Sequence, residues 1–346
     1  MRLNKPYLLF LGEAASLGDA KTAAGLRDWC PNDVAGQFAL EGCGVDLGIP
    51  WYTPEAAVAA GARSLVIGVA PVGGAIPASW WPTLQRAVES GLDVVSGMHT
   101  PLAEVPGLAA AAARLGRALI DVRHGERRFP AGTGRKRSGL RLLTVGTDCA
   151  LGKKYTALAL TRALTERGAD ATFRATGQTG ILISGEGIAI DAVVADFIAG
   201  AAEALSPDAA ADHWDVIEGQ GALFHPAYAG VTLGLVHGSQ PDALVLCHDP
   251  TRTSIEDFPD FPLPSLPAAL DQYLTAARVT NRAARFVGVS LNTSRVAADR
   301  RAAVIGAAAA ELGLPVIDPM QGGAGVLADA LLREFPPGAG STGARG

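Results

Sequence analysis

The sequence predicts an α/β protein of two domains with mostly parallel sheets, and three observations support that class. Apolar runs of three to six residues recur at 7–11, 65–69, 94–96, 118–122, 140–145, 171–175, 216–218, 243–247, 286–291 and 315–317. Most are followed by a loop and a helical spacing, the alternation that builds βα units. The runs are continuous rather than alternating, as expected of strands covered by helices on both faces. The chain, at 346 residues, is also longer than one ordinary domain.

The division falls in "RHGERRFPAGTGRKRSGL" (123–140), which is polar, basic and without apolar periodicity. It separates a first domain, 1–130, from a second, 140–336, with 131–139 as the linker. The small residues of 337–346 are expected to fray. The first domain reads as a Rossmann-like sheet. In "FLGEAASLGDAKTAAGL" (10–26), after its first strand, the glycines do not form the dinucleotide fingerprint. "GVAPVGGAIPASWW" (68–81) is either a ligand loop or a structural turn with a packing Trp pair.

Composition narrows the function. Net charge is −5, and no cationic run exceeds the short "GRKRSGLR", so neither a nucleic-acid nor a membrane-surface footprint is present. No stretch of eighteen apolar residues exists to span a membrane. The four cysteines lack the paired spacings of a zinc site, and a chain of this length needs no disulfide staples. A soluble, cytoplasmic protein acting on small solutes is the expectation.

The second domain begins with a sharper signal. "LRLLTV" (140–145) runs into Gly146, Thr147, Asp148, Cys149, Ala150, Leu151, Gly152, Lys153 and Lys154, and a helix follows. A strand, a Gly-bounded loop and a Lys at a helix start together make an anion cradle. Loop amides converge on the anion, the helix N-terminus adds partial charge, and the lysine adds a full one. This is a P-loop NTPase-like domain, but the Ser or Thr that would hold Mg²⁺ is replaced by Lys154. No metal is expected at the loop. Lys154 either supplies charge in the metal's place or points to solvent.

The loop spacing resembles the "GTDT-x-VGKT" of dethiobiotin synthetase-like proteins, and "WDVIEGQGALFHP" (214–226) places Glu218 after a strand as their "VEGAGG" does. Asn292, ending a late strand in "VGVSLNTS", stands where related folds put a base-reading amide; a turn-forming Asn is the other reading.

Six segments together, "AKTAAGL" (20–26), "GTDCALGKK" (146–154), "RATGQTG" (174–180), "IAIDAVVADFIAGAAE" (188–203), "IEGQGALFHPAY" (217–228) and "HGSQPDALVLCHDPTR" (237–252), resemble the two-domain P-loop family that includes D-glutamate N-acetyltransferases of the DgcN type. The resemblance spans nearly the whole chain. It implies acetyl transfer from acetyl-CoA to the amino group of a D-amino acid, D-glutamate in that type. "GKKYT" departs from the expected "GKMTT".

Acetyl-CoA suits the missing hydroxyl, because its phosphates are held and do not react, whereas ATP cleavage relies on a metal bridging the phosphates. Acetyl transfer needs a group to take the ammonium proton and donors for the thioester oxygen. Glu218 leads the candidate bases, followed by His225 and by Asp191, whose segment also holds Asp196. His237 is a further candidate beside the substrate. Arg174 and Arg252 suit a dicarboxylic substrate, and Thr176, Gln178 and Thr179 offer donors around it. A homodimer is expected on the frequency of that symmetry. An ATP-dependent ligase or kinase of the dethiobiotin synthetase kind, and a non-catalytic nucleotide or CoA binder, are the alternatives.

Overall fold

The computed structural model describes residues 3–124 and 128–336; the 337–346 tail lies outside them. The described chain forms two compact units. One comprises the described residues before Arg128 together with Gln178–Ala192, and the other comprises Arg128–Gly177 and the described residues from Val193 onward.

The first unit is a five-stranded parallel sheet of β1 (Tyr7–Phe10), β2 (Val34–Phe38), β3 (Ser64–Ile67), β4 (Asp93–Ser96) and β5 (Leu119–Asp121), in the order 2-1-3-4-5. That is a doubly wound order. Its helices are α1 (Lys21–Trp29), α2 (Pro54–Ala59), α3 (Trp81–Glu89) and α4 (Leu108–Leu115). All side chains of β1, β3 and β4 are buried, which is why these runs are legible as continuous apolar stretches. β2 escapes that reading because Gly36 and Gln37 interrupt it. Gln37 is fully buried yet satisfied: its amide donates to Asp46 Oδ1 at 2.6 Å and Ile49 O at 2.8 Å and accepts from Leu47 N at 2.9 Å. In the "GVAPVGGAIPASWW" stretch Trp80 is buried and packs, while Trp81 is exposed. The Trp80 ring meets Phe10 edge-on at 5.3 Å, and its Nε1 donates to Glu13 Oε2 at 2.7 Å.

The second unit holds a six-stranded parallel sheet in the order 13-12-9-6-8-7. Its strands are β6 (Leu140–Gly146), β7 (Ala171–Arg174), β8 (Trp214–Ile217), β9 (Ala243–His248), β12 (Arg285–Leu291) and β13 (Val316–Ile317). A short antiparallel pair, β10 (Ser254–Ile255) and β11 (Phe258–Pro262), follows β9. The helices after α4 are α5 (Lys153–Glu166), α6 (Gln178–Ser184), α7 (Ile198–Leu205), α8 (Ala229–Ser239), α9 (Leu266–Ala277), α10 (Arg301–Leu312) and α11 (Ala324–Glu334). Of these, α6 belongs to the first unit.

That assignment departs from the sequence division at two places. Residues 178–192 lie inside the first unit: Leu182 is part of its core, and Thr179 and Thr22 share a buried hydroxyl contact of 2.8 Å. Residues 131–139, read as a linker, pack onto the second unit. Arg137 is buried and donates to Ser206 O at 2.7 Å and Gly238 O at 2.8 Å. Arg141 is fully buried and donates to the carbonyls of Arg137, Ser138, Gly139, Ser206 and Pro207. The basic residues thus neutralise carbonyls at the C-terminal ends of α7 and α8, partners that no local pattern reveals. Arg141→Met is expected to cost about 2–4 kcal/mol in urea unfolding, because buried carbonyls lose their donors.

Candidate active site

The loop between β6 and α5 is the centre of the second unit's carboxyl edge. Positive φ at Ala150 (52°) and Gly152 (102°) turns the loop back on itself. Gly152 adopts this freely, while Ala150 does so at some cost. Lys153, the first residue of α5, is 7% exposed, and its Nζ donates to the Asp148 carbonyl at 2.7 Å. Its ammonium therefore lies folded onto the loop beside a helix N-terminus, the charge arrangement that binds a phosphate.

Neighbouring strands fix this loop. In the sheet β6 lies between β9 and β8, all parallel, so the loops that follow them emerge on one edge. From the β9 side, Arg252 donates through Nη1 to Asp148 Oδ2 at 2.8 Å and to Cys149 O at 3.0 Å. Asp148 is fully buried; Oδ2 also accepts from Glu256 N at 2.8 Å, and Oδ1 accepts from Cys149 N at 2.6 Å. Thr147 Oγ1 and His248 Nδ1 share a hydrogen bond of 2.9 Å. From α9, Tyr273 donates to Gly146 O at 2.7 Å and accepts from Leu223 N at 3.1 Å, tying the start of the loop to the segment after β8.

That segment carries Glu218 and His225. Glu218 is buried, and its Oε2 accepts from the amides of Thr176 at 2.9 Å and Gly177 at 3.1 Å. Thr176 Oγ1 donates to Glu218 O at 2.6 Å and accepts from Gln220 Nε2 at 3.1 Å. A Cβ on Gly219 would overlap the Thr144 carbonyl and meet Lys153 Cδ at 3.0 Å, so glycine is what lets this segment pass so close to the loop.

His225 is 3% exposed, stacked on Tyr228 at 4.4 Å and met edge-on by Phe258 at 5.1 Å. Its Nδ1 accepts from the amides of Ala227 at 3.1 Å and Tyr228 at 3.3 Å, so the neutral ring carries its proton on Nε2. One ligating atom from each of Asp148, Cys149 and His225 lies within 4.8 Å of the others.

The other sequence candidates are dispersed. Arg174 donates to buried Asp215 at 2.6 Å, and the register pairs Asp215 with Thr172, two residues back along the strand. Its guanidinium is thus turned away from the carboxyl edge. Asn292 Oδ1 accepts from Ser294 N at 3.1 Å, forming a turn. The Lys154 ammonium lies 4.8 Å from the ring centre of Tyr155. Asp196 is exposed before α7, and His237 is half-buried in the last turn of α8. Gln178 and Asp191 belong to the first unit, where both accept hydrogen bonds from Arg123.

Two comparisons of sequence bear on this geometry. The description "Domain of unknown function (DUF1611_C) P-loop domain" matches residues 128–328, and "Domain of unknown function (DUF1611_N) Rossmann-like domain" matches residues 33–125. The chain belongs to the DUF1611 family.

The family resemblance runs over nearly the whole chain. A protein of Tritonibacter scottomollicae named D-glutamate N-acetyltransferase is 51% identical over 95% of this chain and 99% of its own. Another of that name from Pseudoalteromonas sp. is 45% identical over 93% of this chain and 97% of its own. The crystal structure of a DUF1611 protein from Anabaena variabilis superposes with a TM-score of 0.85 at 35% identity, covering 95% of this chain and all of that one.

In this DUF1611 chain, sequence reading missed Tyr273 and His248. Tyr273 sits in an ordinary amphipathic helix, and only the fold brings its hydroxyl to Gly146. His248 ends an apolar run that hides it. Burial holds the imidazoles of His248 and His225 below the ordinary value of 6.5. At His225, Lys153 pushes the same way and Asp148 opposes. The unfolded chain therefore binds these protons first as pH falls. Stability is fully present above 6.5 and is lost as pH drops toward the folded values. Melting temperature is expected to fall between neutral pH and pH 5, with a shallower slope in His248→Gln.

Proposed function

We propose that this protein is a D-glutamate N-acetyltransferase that uses acetyl-CoA as donor. The observation that carries the reading is the 51% identity to an enzyme of that name over 95% of the chain. The loop supports the donor. It offers an anion cradle with a buried lysine, and Lys154 stands where a magnesium-binding hydroxyl would be. Phosphates that are held and not cleaved need no such ligand.

In this reading, Lys153 and the amides of the 146–152 loop other than those of Thr147 and Cys149, which donate to Cys247 O and Asp148 Oδ1, grip CoA phosphate, and Lys154 at the start of α5 adds charge. Arg252 is a positioning residue: bound to Asp148 and Cys149, it sets the shape of the loop. Glu218, fixed by two amides, takes the proton from the substrate ammonium. The amino acid's carboxylates fall to the segments that resemble the family, the Thr176 and Gly177 amides being taken up by Glu218.

We expect a cytoplasmic enzyme and a homodimer. For the latter, Val194, Phe197, Tyr228 and Leu233 are large apolar side chains exposed around α7 and α8; light scattering would read the mass. The function is tested by following CoA thiol release from acetyl-CoA with D-glutamate, L-glutamate and no acceptor. An ATPase assay runs alongside. Release that depends on D-glutamate and continues in the presence of a chelator is expected. Magnesium-dependent ATP cleavage without CoA release would point to a ligase or kinase instead.

A further inference from the structure

By sequence His225 is a candidate base, but its geometry suits a different task. A base must offer a lone pair, and Nδ1 is already taken by the amides of Ala227 and Tyr228, at 3.1 and 3.3 Å. The neutral ring therefore presents Nε2–H, which donates and does not accept. Burial holds the imidazole below its ordinary value and so keeps it neutral at neutral pH; Asp148 and Asp257 oppose, and Lys153 acts with burial.

That N–H has no protein acceptor. Nδ1 makes the only hydrogen bonds of this imidazole among the described residues. Nε2 of His213 and Nε2 of His237 are unpartnered and fully enclosed. Nε2 of His225 is unpartnered too, but it keeps an opening, although the residue as a whole is almost wholly buried. Its direction is fixed. The ring is stacked on Tyr228 at 4.4 Å and met edge-on by Phe258 at 5.1 Å, and the two amides hold its other nitrogen. A buried polar group of this kind is normally satisfied, so a locked and open donor calls for an acceptor from outside the chain.

The ring borders the phosphate loop. One of its nitrogens, an Asp148 carboxylate oxygen and Cys149 Sγ lie within 4.8 Å of one another. These are also the donor types of a zinc site. Asp148 is committed, however: both of its oxygens accept from protein donors, the Arg252 guanidinium among them. A metal ion would further meet the Lys153 ammonium, which sits on the Asp148 carbonyl at 2.7 Å. An anion fits the same surroundings. Lys153 supplies charge at the start of α5, and a neutral imidazole adds one directed hydrogen bond without a second buried cation beside the lysine.

We infer that His225 is a phosphate-binding residue of the cradle, its Nε2–H donating to a phosphate oxygen held by the 146–152 loop. The inference rests on the reading of that loop as the site of CoA phosphate. No proton is transferred, and His225 takes no part in the acetyl transfer itself. Tyr228 and Phe258 are positioning residues, which keep the ring at the angle its donor needs.

Two substitutions separate the halves of the imidazole. In His225→Asn the side-chain oxygen takes the place of Nδ1 for the Ala227 and Tyr228 amides, and the farther donor is gone. In His225→Gln an amide N–H reaches the place of Nε2, and the turn loses its acceptor. Calorimetry on the full chain with CoA, ATP and inorganic pyrophosphate reads both. His225→Asn is expected to weaken CoA binding roughly 10-fold or more, the scale of one hydrogen bond to a charged oxygen. His225→Gln is expected to stay closer to wild type, and kcat at saturating acetyl-CoA to change little in either.

Unchanged CoA affinity in His225→Asn overturns the inference. So does the reverse order, with His225→Asn neutral and His225→Gln weakened, which would leave the imidazole as an anchor of its turn. A fallen kcat with affinity kept in both variants would restore the base. Where a variant folds poorly, nitrogen-15 spectra of the six histidines in the wild-type chain decide. A proton on Nε2 of His225 that shifts downfield with CoA is expected, and a proton on Nδ1, or a signal indifferent to saturating CoA, refutes the role. Binding of ATP or pyrophosphate without CoA, weakened in His225→Asn, would uphold the phosphate donor and remove the CoA reading; a wild-type chain that binds none of the three removes both.

Discussion

Lys153→Ala is expected to raise KM for acetyl-CoA by roughly 10- to 100-fold, with a smaller change in KM for D-glutamate. The ammonium is almost wholly buried against the loop, 2.7 Å from the Asp148 carbonyl. A charge-assisted hydrogen bond to phosphate is worth about 1.5–3 kcal/mol, and each 1.4 kcal/mol is about tenfold in affinity. Lys153→Met, which keeps part of the stem beside Gly219, should show the same defect with less loss of stability. Titration calorimetry with CoA reads the change directly. An unaltered dissociation constant in both variants would take the lysine out of phosphate binding.

Glu218→Gln is expected to lower kcat by roughly 10²- to 10⁴-fold, the range for loss of a general base, while leaving KM for acetyl-CoA close to the wild-type value. Glutamine keeps a carbonyl oxygen for the Thr176 and Thr176-adjacent Gly177 amides, so the turn survives and the carboxylate's ability to take a proton does not. The pattern of a fallen kcat with donor binding kept is what distinguishes a base from a structural anchor. Wild-type kcat and pH profile in Glu218→Gln would reduce Glu218 to the cap of that turn.

Much of the fold was legible because parallel strands buried on both faces leave continuous apolar runs. β1, β3, β4, β6 and β9 all read in that way. β2 did not, since its buried Gln37 is satisfied by residues 46–49, and a window on the strand cannot show them. The return of 178–192 to the first unit was equally hidden. Its helix pattern announces a helix but not which sheet the helix covers.

The cradle was the clearest part of the site, since strand, glycine, lysine and helix are adjacent in sequence. Partners from other strands were less so. By sequence Arg252 suits a substrate carboxylate, and in the structure its guanidinium lies on Asp148. Arg174 suits one equally, and it pairs with Asp215. A guanidinium after a strand reads the same whether its carboxylate belongs to a ligand or to the neighbouring strand. Tyr273 carries no signal at all, because its role depends on α9 crossing the start of the loop.

The central claim is that this P-loop holds the phosphates of CoA and does not cleave those of a nucleotide. Calorimetry of the wild-type chain with CoA and with ATP, each with and without Mg²⁺, tests it most directly. The account predicts CoA binding that is indifferent to Mg²⁺. Tight ATP binding that requires Mg²⁺, with no heat from CoA, would contradict it.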